Sequence, residues 1–188
     1  MNDSSSERRE YFRINDQAIV TLKKIQPDQS LKSLKSEHSS FLLSSAISTL
    51  DMEHQAVISK IKRSNPDIAL YLDVINKKIS LVANHIMENS LDVSGQSQTE
   101  IDLSAAGIAI ESTGGFAEND TVEIKLILLP EKTGILSIGR IMRVKQKNNT
   151  NILCIDFEQI SEPDRELIIK HTMVKQLEQA RAKNHDYD

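Results

Sequence analysis

The feature that most limits what this chain can fold into is a change of hydrophobic period, made twice. Near the N-terminus and again from Ser94 the apolar residues alternate; between these regions they recur at steps of four and three. Leu43, Ile47, Leu50, His54, Val57 and Ile61 form one stripe of the second kind. Ile68, Leu72, Ile75, Ile79, Val82 and Ile86 form another. Alternation marks a strand with one buried face, whereas the four-and-three step marks a helix of heptad type. Between the stripes stands "SNP", with Asn65 a good N-cap and Pro66 at the first helical position. A helix, a sharp break and a second helix are therefore expected over roughly residues 30–91.

The flanking regions read as short strands. In "QAIVTLKKI", Ala18, Val20 and Leu22 share a face, and Pro27 and Asp28 end the run. "TEIDLSAAGIAIES" is a strand candidate with an interruption, and Gly114-Gly115 marks a turn. "TVEIKLILL" alternates through Val122, Ile124, Leu126 and Leu128 before "PEKTG" turns the chain. "ILSIGRIMRV" and "NILCIDF" flank the polar turn "KQKNNT", a hairpin signal. Ser161-Glu-Pro-Asp164 resembles a capping box and opens a closing helix through Leu167, Ile168, Val174 and Leu177. The expected class is α+β: a small antiparallel barrel or sandwich with an inserted pair of long heptad-patterned helices and a C-terminal helix. The organisation expected is an arm and first strand over 1–29, the helix pair over 30–93, and the remaining strands and last helix over 94–188.

Composition narrows the function. A net charge of −4 argues against a surface built as a whole to hold nucleic acid. The single cysteine, Cys154, excludes an intrachain disulfide and any multi-cysteine metal site, and its apolar surroundings read as a small buried hydrophobe. No secretory h-region opens the chain, and no apolar run approaches the roughly 20 residues of a membrane span. A cytoplasmic protein is expected. There is no phosphate-cradling glycine loop, no G-x-S-x-G and no H-E-x-x-H, and the five histidines lack metal-ligand spacing to one another. Neither an enzyme nor a cofactor is expected.

Two short motifs remain. "ERREYFRI" places Arg9 and Arg13 four apart, reinforced by Arg8; "IDLSAAGIAI" carries Asp102, Ser104 and Gly107 in an Asp-x-Ser-x-x-Gly pattern. With the short strands, "IGRIMRV", "ILCIDFEQISEPDRELI" and the final helix, the chain resembles the PilZ domain, the bacterial receptor module for cyclic di-GMP. The likeness covers roughly residues 7–25 and 98–180 and implies a barrel. The helices then stand between the two motifs, an insertion whose loop-entropy cost grows only slowly with its length. The resemblance implies that Arg8, Arg9 and Arg13 clamp phosphates and guanine Hoogsteen edges, that Asp102 and Ser104 read guanine, and that Gly107 gives clearance. The chemistry agrees. Arginine's planar fork binds phosphate oxygens or guanine O6 and N7, and its flat face stacks on a purine. A carboxylate is the acceptor that guanine's N–H edge needs. Arg140, on the "IGRIMRV" strand, is a further possible contact.

The helices carry a separate expectation. With Ile47, His54 and Ile61 at a and Leu43, Leu50 and Val57 at d, the first stripe is apolar but for His54, read as a polar register-setter with a hydrogen-bond partner. In the second stripe Leu72, Ile79 and Ile86 are a; Ile68, Ile75 and Val82 are d. This choice disfavours two-stranded parallel coils and shifts preference to three or four strands. Self-association into a trimer or tetramer is expected, against the alternative of a hairpin folded back onto the barrel. A subset of PilZ-like proteins looks like this, with inserted helices used for self-association, and some of its members have lost the ligand. The functional expectation is an oligomeric cyclic di-GMP receptor whose polar arm, mobile when free, is ordered by ligand. The alternative is an oligomeric scaffold or adaptor that binds no nucleotide. In either case a downstream protein partner is implied but not identified, and neither nucleic acid nor membrane insertion is expected.

Overall fold

A computed structural model describes residues 12–88, 97–147 and 150–185. The elements run β1 (Ile14–Lys24), α1 (Leu31–Glu37), α2 (Leu43–Glu53), α3 (Gln55–Ser64), α4 (Pro66–Glu88), β2 (Thr99–Ser104), β3 (Gly107–Ser112), β4 (Thr121–Leu128), β5 (Thr133–Lys147), β6 (Thr150–Gln159) and α5 (Glu162–His185). The six strands close into an antiparallel barrel in the order β1–β2–β3–β6–β5–β4, so the class is α+β and the architecture a barrel rather than a sandwich. Closure leaves no free sheet edge. β1 makes closure possible by dividing its length between two neighbours. Ile14 to Ala18 pair with Leu103 to Thr99, and Ala18 to Lys24 pair with Leu128 to Val122.

Alternation fills the interior. Ala18, Ile101, Leu103, Ile108, Ile124, Leu126, Ile141, Leu153 and Ile155 point inward and are buried. α5 adds Leu167 and Ile168 to the same core. Its N-terminus is capped by Ser161, whose Oγ accepts from the Asp164 N–H at 3.4 Å.

A second core lies outside the barrel. β4 is buried along its whole length, not on one face as its alternation alone would have it. The reason is long-range: α1, the turn after it and the end of α4 cover the outer wall of β1, β4 and β5. Leu34, Phe41 and Met87 pack there on Ile127, Leu136 and Ile138. Two outward charges on β4 are buried in the process. Glu123 meets His38 at 3.1 Å and Lys125 at 3.6 Å, and Lys125 also lies 6.0 Å over the Phe41 ring. Lys35 Nζ adds a tie from α1 to Asp164 of α5 at 2.7 Å.

The inserted helices show the expected break: Asn65 Oδ1 accepts from the Ile68 N–H at 3.4 Å, and Pro66 begins α4. The first helix is not continuous, however. It is interrupted at His54 (φ −99°, ψ 5°), which ends α2 and begins α3. The His54 ring Nδ1 donates to the Leu50 carbonyl at 2.9 Å, so its partner is its own preceding turn. A polar side chain bonding its local backbone competes with the regular helix, which accounts for the interruption. α1 is a further short helix that the heptad pattern does not announce. Both α2 and α3 pack on α4.

The stripes divide accordingly. Leu43, Ile47, Ile61, Leu72 and Ile75 are half-buried, whereas Leu50, Val57, Ile68, Ile79, Val82 and Ile86 are exposed. α4 exposes Leu70, Val74 and Leu81 on another side. Part of the insertion is thus folded onto the barrel, while much of α4 is apolar and uncovered.

Replacing Leu34, which is 1 % exposed, tests the second core. Leu34→Ala should cost about 2–5 kcal/mol in denaturant unfolding, the usual penalty of a core truncation. A loss below about 0.5 kcal/mol, the level of surface changes, would show that α1 does not hold the wall.

Candidate functional site on the barrel wall

Arg13, at the mouth of β1, and Asp102, on β2, come together although the inserted helices separate them in sequence. Arg13 Nη1 lies 3.5 Å from Asp102 Oδ2. Antiparallel pairing brings this about, since Asn15 stands opposite Asp102. The ion pair is part-exposed, so it contributes only about 0–1 kcal/mol. The other carboxylate oxygen, Oδ1, is buried with no hydrogen-bond partner among the described residues. A buried unpartnered acceptor is costly, and here it lies beside a cation that can move aside. Arg8 and Arg9 fall outside the described residues.

Ser104 and Gly107 sit at the two-residue turn between β2 and β3. Ser104 is buried; its Oγ donates to the Gly107 carbonyl at 3.3 Å and accepts from the Ala106 N–H at 3.4 Å. Its hydroxyl therefore holds the turn. Gly107 is demanded by the neighbouring strand, since a Cβ there would collide with the carbonyl oxygen of Ile155. Both residues shape the edge on which Asp102 stands.

These groups border an open groove of about 1370 Å³ on the outer barrel wall. Its floor follows one cross-strand row through five strands: Asn15, Asp102, Ala109, Cys154 and Arg143 stand opposite one another in succession. Small residues in the middle and polar ones at the ends make a shallow trough. Cys154 is half-exposed on that floor rather than in the interior, a correction to its reading as a buried hydrophobe. Its strand alternates, and Leu153 and Ile155 take the inward positions.

The charges around the groove are largely matched. Asp16 accepts from His171 Nε2 at 2.6 Å and lies 3.5 Å from Lys175, and Glu111 pairs with Lys147. The Lys147 bond holds the Glu111 carboxyl below its ordinary range and raises the Lys147 ammonium in turn. Arg140 is engaged by Glu158 through both guanidinium and carboxylate, with Nη2 to Oε2 at 3.2 Å. That hydrogen bond raises its pKa further. The remaining lining charges are Glu100, Asp102 and Asp156 against Arg13, Arg143 and Lys145. α5 is fastened to both motif segments: Arg165 donates to the Ala105 carbonyl, and Gln179 donates to the Asn15 carbonyl at 2.9 Å.

The sequence model of the PilZ domain matches residues 77–173, just over half of the chain. This chain belongs to the PilZ domain family. The matched segment holds the Asp102–Gly107 motif and every strand but β1, while the arm and most of the helical insertion lie before it. Among solved structures this PilZ protein is similar to a pathogenic protein of Xanthomonas campestris, described as a tetrameric PilZ domain self-assembled via an unusual helical bundle. The TM-score is 0.58 at 9 % identity, covering 91 % of this chain and 89 % of that one. It is also similar to the Bacillus subtilis inhibitor of motility (MotI/DgrA), with a TM-score of 0.47 at 12 % identity. That match covers 92 % of this chain and 52 % of the other. No curated protein matches the sequence. At these identities the neighbours speak for the fold alone.

Residues the motifs do not include complete the groove: Arg143 and Lys145 on β5, Ala109 on β3, and Cys154 and Asp156 on β6. Only strand pairing brings them beside Asp102. Because the Arg13–Asp102 pair is weak and exposed, Arg13→Ala should change unfolding stability by less than about 1 kcal/mol. A larger loss in urea titration would mean that the arginine is held for structure.

Proposed function

We propose that this PilZ protein is a cytoplasmic, non-enzymatic receptor for cyclic di-GMP, in which the ligand draws the N-terminal arm onto the barrel groove. The observation that carries the reading is the meeting of Arg13 and Asp102 over a carboxylate oxygen that has no hydrogen-bond partner among the described residues. Guanine's N–H edge supplies the donors this carboxylate lacks, and Arg13, released from Asp102, turns to phosphate or to the base. The charge count explains why the arm is needed. With Asp16 paired to Lys175 and Glu111 to Lys147, three carboxylates face three cations, so the wall offers no surplus for two phosphates. Arg8 and Arg9 supply it. Ser104 and Gly107 act by holding the edge on which Asp102 is presented. Arg140, bound to Glu158, is left out of the site.

The helices support the oligomeric part of the proposal. A helix apolar on several sides is ordinarily enclosed by neighbours, yet Ile68, Ile79, Val82 and Ile86 on one side of α4 and Leu70, Val74 and Leu81 on another are exposed in the single chain. Each such side chain contributes about 1.5–3 kcal/mol when fully buried. The likeness to a tetrameric PilZ domain built through a helical bundle favours a bundle of three or four chains through α4. The same observation sustains the second reading, a scaffold that assembles without nucleotide.

Isothermal titration of cyclic di-GMP separates the two. Wild type should bind, and Arg13→Ala and Asp102→Ala should each weaken binding at least about tenfold, as loss of a charged hydrogen bond does. Silence from folded wild-type protein leaves the scaffold. Hydrogen exchange should show ligand-dependent slowing over residues 7–13; unchanged exchange there refutes arm closure. Light scattering after gel filtration should give a trimer or tetramer, and Ile79→Glu with Val82→Glu should give a monomer that keeps its barrel. A monomeric wild type refutes the bundle.

A further inference from the structure

Arg143 owes its position to an irregularity. Were β5 regular, Arg143 would fall two residues from Ile141 and point, like it, into the barrel. A β-bulge intervenes: the register shifts between Ile141, opposite Ile155, and Arg143, opposite Cys154. One extra residue is accommodated, and both Met142 and Arg143 are exposed at the groove while Ile141 is buried. Bulges of this kind re-aim a side chain and are over-represented beside functional sites. The re-aimed arginine also forms no ion pair with another described residue, unlike Arg140 on the same strand.

We infer that Arg143 is a base-reading residue of the groove, taking the O6/N7 edge of a guanine whose N–H edge is held by Asp102. This rests on the cyclic di-GMP reading above and adds a residue that neither motif contains. Asp102 and Arg143 belong to one cross-strand row, with Ala109 and Cys154 between them. Three strand spacings separate them, about 14 Å along a flat sheet. A short carboxylate side chain, a purine laid on the floor and an extended arginine together fill that span. Nothing bulky obstructs the plane, because the two intervening residues are an alanine and a cysteine. The ends are chemically complementary to guanine and not to adenine: an acceptor faces N1–H and N2–H, and a two-pronged donor faces O6 and N7. Adenine puts an amino donor where guanine has O6, so the fork meets a donor there. The exposed Met142 beside the arginine offers an apolar contact to the base face. Arg13 is then left for the phosphates.

The test is titration of cyclic di-GMP and cyclic di-AMP into wild type, Arg143→Ala and Arg143→Lys, with thermal melts as a folding control. Wild type should prefer the guanine ligand. Arg143→Ala should weaken cyclic di-GMP by roughly ten- to a hundredfold, the worth of a bidentate base contact, and leave cyclic di-AMP little changed. Arg143→Lys should not restore the preference, because a point charge lacks the planar fork. Equal weakening of both ligands, full rescue by lysine, or no effect of Arg143→Ala overturns the inference. If Arg13→Ala still abolishes binding in any of those cases, the receptor reading stands without it. Wild type silent towards both ligands overturns the receptor reading and this inference together.

Discussion

The structure depends on one wall being covered on both sides. β4 contributes Val122, Ile124, Leu126 and Leu128 to the barrel interior and Ile127 to a second apolar layer beneath Leu34, Phe41 and Met87. This layer seats the helical insertion. It fixes where α1 starts and where α4 returns, and so keeps the two ends of the insertion close together, the condition under which so long a detour is tolerated. It also encloses Glu123 and Lys125, which pair with each other at 3.6 Å, with the His38 ring 3.1 Å from Glu123. Burying such a group without its partner is strongly unfavourable, so the helices and the wall are committed to one arrangement.

The opposite wall is left open, and the contrast organises the molecule. Where β4 is covered by helices, its outward Ile127 is apolar and its outward Glu123 and Lys125 are paired. Where β1, β2, β3, β6 and β5 face the groove, the cross-strand row from Asn15 to Arg143 is polar at the ends and small in the middle. α5 lies between the two regimes, packing Leu167 and Ile168 into the core while bonding to Asn15 and Ala105 at the groove's edge. The groove's edge is thereby fastened from behind by a helix that is part of the core.

What could be read in the sequence was what is local. The Asn65 cap, the tight turn at Ala105-Ala106 and the Ser161 cap are set by neighbouring residues, and the heptad stripes announced helices before any packing was known. That the strands close into a barrel rather than a sandwich followed from the family likeness and not from spacing, and their order came only with the structure. Three features were not legible, each for a physical reason. β4's outer burial depends on helices distant in sequence. α1 is too short and polar to show a stripe. The bulge at Met142 leaves the strand's composition unchanged while reversing the direction of Arg143. On the site, Arg13 and Asp102 were conspicuous as residue types, but the row they belong to is a product of pairing across five strands. The same pairing places Cys154 on the groove floor, since its apolar neighbours said only that the strand was buried on one side.

β1 belongs to both walls. Its first half, Ile14 to Ala18, lies along β2 and carries Asn15 into the groove row, and its second half lies along β4, with Ile19 packed against the layer beneath the helices. Strand faces alternate strictly, so a slip of one residue anywhere in β1 would turn both halves over together. Asn15 and Gln17 would be driven inward while Ala18 was expelled, and the seat of the insertion would be lost in the same step. The groove row and the helix seat therefore share a single registration. A deletion or insertion within these eleven residues would displace the groove row and the helix seat at once.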